Sequence, residues 1–110
     1  KMIITFKSSA AGDVIMFSDV AHRLMQIMGK DATDKGILTV EQLPEAIRCL
    51  KAAIDEDKQR LAALPEEERP LKEKGASGER PFVSLYQRAT PLLELIEWAQ
   101  KKQKPVVWGV

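Results

Sequence analysis

The sequence predicts an α+β domain, mainly helical, with three helices and a small sheet formed by the N- and C-terminal strands. Three observations predict it. β-Favouring residues cluster at both ends of the chain, in Ile3-Ile4-Thr5-Phe6 and Val106-Val107-Trp108. Three stretches between them carry apolar residues spaced by three and four, as helices do. The chain is 110 residues long, 45% hydrophobic and 30% charged, which suits a single globular domain over residues 1–110.

The first strand is expected from Ile3 to Lys7. Ser8, Ser9 and Gly12 then loosen the chain, and Asp13 reads as the N-cap of a first helix from about Val14 to Met28. Its stripe is Val14, Phe17, Ala21, Leu24 and Met28, widened by Val20 and Ile27 and flanked by Met16 and Met25. Gly29 supplies a left-handed residue to end it. Ile37-Leu38 reads as a short extended piece. Thr39 and Gln42 have capping-box spacing at the start of a second helix, and Pro44 falls in or near its first turn. Leu43, Ile47, Leu50, Ile54 and Leu61 mark its buried side, and it should end near Leu64. Lys51/Asp55 and Glu56/Arg60 are candidate ion pairs on its outer face.

Residues 65–81 differ in composition. Three prolines, two glycines and nine charges leave Leu71 as the one large apolar side chain, so a mobile loop is expected. Helix three follows, rich in Leu92, Leu93, Leu95, Ile96 and Ala99. It is either one helix kinked at Pro91 or two pieces, since Ser84 with Gln87 and Thr90 with Pro91 both read as starts. Pro105 stops it, and the terminal strand follows. Pairing of the two terminal strands would leave their outer edges open to a partner strand.

Several of these segments resemble one known family. Ile4-Thr5-Phe6-Lys7-Ser8, Ala11, Asp13-Val14 and Met16-Phe17 are similar to the opening of bacterial proteins classed as domain of unknown function 1840. Val83-Ser84-Leu85, Gln87-Arg88-Ala89, Pro91-Leu92, Glu94-Leu95 and the tail at Trp108 are similar to its later part. The resemblance implies a small bacterial protein in one domain, and it brings no activity, cofactor or catalytic residue with it.

Chemistry is sparse in the residues themselves. Lys and Arg number 17 against 16 Asp and Glu, a net charge of +1, so the basic surplus of a nucleic-acid binder is missing. Cys49 is the sole cysteine, which rules out an internal disulfide and a cysteine-based zinc site. No apolar run is long enough to span a bilayer, and the first one is too short for a signal peptide. A cytoplasmic location is therefore expected. The turn from Ser8 to Asp13 lacks the Gly-Lys-Ser/Thr ending of a P-loop and the spaced glycines of a dinucleotide site. It reads as a plain capped turn.

His22, the sole histidine, reads as a boundary residue beside the apolar stripe. Arg48 beside Cys49 could lower the thiol pKa, although a half-buried small residue is the simpler reading. Glu66, Glu67 and Glu68 read as solvated. Met16, Met25 and Trp108 suit either a core or a partner-binding surface, whereas Trp98 reads as packed.

Two functions compete. The first is a non-enzymatic protein-interaction or accessory module, either a homodimer or one bound to another protein, with no cofactor and no metal. The second is a small-metabolite-binding protein or small enzyme with a pocket between helix one and the terminal strand. Lys7, Asp13, His22 and Trp108 would be the binding residues of that pocket, and no residue reads as catalytic.

Overall fold

The computed structural model describes residues 2–65, 67 and 85–110. Nearly all of the segment 65–81 expected to be a loop lies outside the described residues, as do Ser84 and its capping contact. In chain order the elements are β1 (Ile3–Ser8), β2 (Ala11–Phe17), α1 (Ser18–Ile27) and β3 (Gly36–Leu38). A short 3₁₀ turn (Val40–Gln42), α2 (Leu43–Ala62), α3 (Leu85–Lys102) and β4 (Val106–Trp108) follow. The α+β class and the three helices are as expected, and so is the union of the termini: β1 pairs antiparallel with β4.

The sheet has four strands rather than two, in the order β2-β1-β4-β3, with every pairing antiparallel. Ile37 and Leu38 do form an extended piece, and it becomes an edge strand on β4. The terminal strands thus occupy the middle of the sheet. The expectation that their outer edges stay open is corrected, because β2 and β3 cover them.

β2 is the main departure from the sequence reading. Val14 to Phe17 is strand, and the helix starts at Ser18. Asp13 therefore caps nothing and lies exposed on β2, while Phe17 occupies the N-cap position. The physical reason is that Val14-Ile15-Met16-Phe17 is apolar on both alternate sets, so it satisfies helical and strand spacing equally. Pairing decides between them: a tight turn at Ser9-Ala10 brings Phe6 opposite Val14 and Ile3 opposite Phe17. Adding a strand to β1 satisfies backbone groups that a helix would leave bare along the sheet edge.

Alternation then sorts the strands. Ile4, Phe6, Met16, Leu38, Val106 and Trp108 point inward and are buried. The core continues into Ala21, Leu24 and Met25 of α1, Leu43, Ile47, Leu50 and Ile54 of α2, and Leu92, Ile96 and Ala99 of α3. Met16, Met25 and Trp108 are all core. Trp108 tilts against Phe6 with ring centroids 5.5 Å apart and donates its indole N–H to the Thr33 carbonyl at 3.2 Å. Gly36 gives it room, since a Cβ there would lie 2.4 Å from the indole.

The helix ends follow local rules. Gly29 adopts φ +86° and Lys30 N–H bonds the Met25 carbonyl at 2.8 Å, closing α1 as its sequence predicts. Gln42 Oε1 accepts the Thr39 N–H at 2.9 Å ahead of α2. α3 runs unbroken through Pro91, which resolves the alternatives left by the sequence in favour of one helix. Thr90 Oγ1 donates to the Tyr86 carbonyl at 2.7 Å one turn before the proline.

The ion pairs expected along α2 do not form. Lys51 reaches Glu97 of α3 at 3.3 Å, and Arg60 pairs with Asp57. Asp57 is buried on the inner side of α2, and its Oδ2 accepts the Tyr86 N–H at 3.1 Å. A carboxylate from one helix thus caps the first turn of another, where the unpaired amides and the helix dipole favour it.

Candidate functional site

The helices cover one face of the sheet, and the opposite face carries the alternate residues. On β1 these are Ile3, Thr5 and Lys7, and on β2 they are Asp13, Ile15 and Phe17. Val107 of β4 and Ile37 of β3 complete the set. The ladder fixes their positions: Ile3 faces Phe17, Thr5 faces Ile15, and Val107 lies between Lys7 and Ile37. Lys7 sits beside the Gly12–Asp13 stretch, at an irregularity in the β1–β2 pairing between Phe6 and Ser8.

This outer face is unusually apolar for a surface. Ile15 is 64% exposed, Ile3 57%, Phe17 43% and Ile37 42%. Four large apolar side chains half open to solvent on one side of one sheet amount to on the order of 400 Å², within the range of a functional patch. An antiparallel sheet with one solvated face normally alternates apolar-in and polar-out, and here the outward set is apolar too.

Of the residues expected at a binding pocket, Lys7 and Asp13 lie on this outer face. His22 and Trp108 lie on the other side of the sheet. His22 Nε2 is 3.0 Å from Asp34 Oδ1, and Trp108 bonds the neighbouring Thr33, so both fasten the segment between α1 and β3. Trp108 is 1% exposed, its indole packed against Phe6 and Gly36. The four residues therefore do not share one cavity. Ile3, Ile15, Phe17 and Ile37 are all absent from the residues the sequence marks for binding. The signal was the consecutive apolar run Val14-Ile15-Met16-Phe17, which becomes a strand apolar on both faces once it pairs with β1.

Two further features surround the core. A cleft of about 620 Å³ opens between α1 and α2, lined by Arg23, Ile27, Ala53, Glu56, Asp57 and Arg60. On α3, Trp98 is 47% exposed rather than packed, with the ammonium groups of Lys101 and Lys102 at 5.2 and 5.5 Å from its ring.

Cys49 is half-buried, as its position implies, but its chemistry runs opposite to that of an activated thiol. Desolvation pushes its pKa up, and so does the Glu45 carboxylate 3.5 Å away, outweighing Arg48. Arg48 is engaged by Glu45, whose carboxyl it holds below the usual range. Among the described residues no group of three or more His, Cys, Asp or Glu could hold a metal ion. Among them, too, no helix is long and apolar enough to cross a membrane.

No curated protein and no solved structure matches this chain. A family match spans residues 2–108, from the first strand to Trp108 at the centre of the core. The chain belongs to the family described as Domain of unknown function (DUF1840).

Proposed function

We propose that the chain is a non-enzymatic interaction module, acting as one domain in the bacterial cytoplasm, that binds protein through the outer face of its sheet. The observation that carries this reading is the exposure of Ile3, Ile15, Phe17 and Ile37 on a single surface. Water in contact with that surface is released on docking, which drives association without any directional chemistry. The thiol elsewhere in the molecule agrees with this reading: Cys49 on α2, its pKa raised by burial and by Glu45, is a poor nucleophile. A cytoplasmic place agrees with a single, unpaired cysteine, and a bacterial one with the family resemblance.

A photo-crosslinking amino acid at position 15 tests the reading, with position 55 on the exposed side of α2 as control. Protein adducts are expected at 15 and not at 55. Equal labelling, or none at 15, overturns the reading.

The cleft between α1 and α2 favours a second reading, a small-metabolite site moved from the expected place beside the terminal strand. Its volume suits a metabolite, and Arg23, beside Ile27 and Ala53, is the cation that would meet an anionic group there, since Arg60 is engaged by Asp57. A thermal-shift screen of anionic metabolites should raise the melting temperature if this reading holds, and Arg23→Ala should abolish the response. A flat screen rejects it.

A further inference from the structure

We infer that the outer face is occupied by a second copy of this chain, docked face to face about a twofold axis that runs along the strands between β1 and β2. This rests on the interaction reading above and names its partner.

The pattern on the two strands is what assigns the partner. β1 presents Ile3, Thr5 and Lys7 in order, and β2 presents Phe17, Ile15 and Asp13 beside them. A twofold axis between the strands exchanges the two columns. Ile3 then lies on the partner's Phe17, Thr5 on the partner's Ile15, and Lys7 on the partner's Asp13, each contact occurring twice. An isologous interface requires a patch to complement itself in this way. Among the described residues the β1 and β2 columns carry one cation and one anion, at the same end and in different columns, so the pair matches its own copy. A strongly charged partner would leave one of the two charges uncompensated or repelled.

Neither Lys7 nor Asp13 makes an ion pair within the chain among the described residues. Both are therefore available across the interface. Stacked sheets sit about 10 Å apart, a spacing that isoleucine, phenylalanine and threonine side chains from two faces fill.

The area sets the strength. Ile3, Thr5, Lys7, Asp13, Ile15 and Phe17 contribute on the order of 500 Å² per copy, Ile37 on β3 lying beyond the stacked strands, so the interface totals about 1,000 Å², the lower limit for a specific one. An interface at that lower limit suits a reversible dimer. Pairing of two β2 edges would also make a dimer, but it would leave Ile15 and Phe17 in water, so the exposed face argues against it.

Sedimentation velocity of the full chain over a wide concentration range tests this. A monomer–dimer equilibrium is expected. Ile15→Lys, which projects outward from the sheet and keeps the circular dichroism of the parent, should be monomeric throughout. Should that variant misfold, Phe17→Ser with Ile15→Thr serves instead. Lys7→Asp and Asp13→Lys should each weaken the dimer by about tenfold or more through paired like-charge contacts, and the combined exchange should restore it. Trp98→Ala should leave it unchanged.

A monomer at every concentration overturns the inference. So does a dimer that survives Ile15→Lys, or one that the charge exchange does not restore. If the chain is monomeric yet the crosslinker at position 15 captures a different protein, the dimer fails while the interaction reading stands. If position 15 captures nothing, both fail together.

Discussion

Asp57 shows what one residue does in a chain this short. Its carboxylate is buried between α2 and α3, held by Arg60 on one oxygen and by the Tyr86 N–H on the other. Asp57→Ala removes the cap of α3 and should cost about 2 kcal/mol, read by chemical denaturation. Hydrogen exchange in the first turn of α3 should accelerate more than elsewhere. Sequence reading could not find this residue, since an aspartate three positions after Ile54 looks like a solvated break in the stripe. Trp108 is the opposite case, a residue whose large aromatic body marks it for the core whichever element holds it. Trp108→Ala should cost about 3–5 kcal/mol. Gly36→Ala attacks the same contact from the other side and should cost about 2 kcal/mol, because the indole cannot yield without moving Phe6. Cys49 gives a kinetic prediction. With its pKa raised by desolvation and Glu45, the native thiol should react with iodoacetamide more slowly than an unfolded control near neutral pH. The rate should climb as pH passes above the ordinary thiol range, and Glu45→Gln should shift that climb to lower pH.

At the scale of elements, α2 and α3 were legible because a single apolar face over several turns has one reading. β2 was not, since four successive apolar residues fit helix and strand alike and only the partner strand decides. The same ambiguity hid the candidate site: with Phe17 in a helix stripe and Ile15 merely inside that helix, their joint exposure with Ile3 could not be foreseen. Among connections, the end of α3 carries a correctable fault. Gln103 adopts φ 56°, a left-handed conformation that favours glycine, while Lys104 N–H bonds the Ala99 carbonyl at 2.9 Å. Gln103→Gly should therefore stabilise the protein by about 0.5–1 kcal/mol, raising the melting temperature measured by calorimetry. The ion pair between Lys51 and Glu97 joins the two long helices, but both side chains are largely exposed. Removing it should change stability by less than about 1 kcal/mol.

For the whole molecule, the sheet order decides how the fold comes together. β4 is last in sequence yet lies between β1 and β3, bonded to both. On a ribosome the β1–β2 hairpin can form early, but β3 has nothing to pair with until residues 106–108 leave the exit tunnel. Trp108, which seals the core, arrives with them. A chain stalled before Val106 lacks both the strand that joins β1 to β3 and the indole packed on Phe6, and should be digested by protease faster than the full chain. A three-residue strand is thus the latch of the sheet, joining the β1–β2 hairpin to β3.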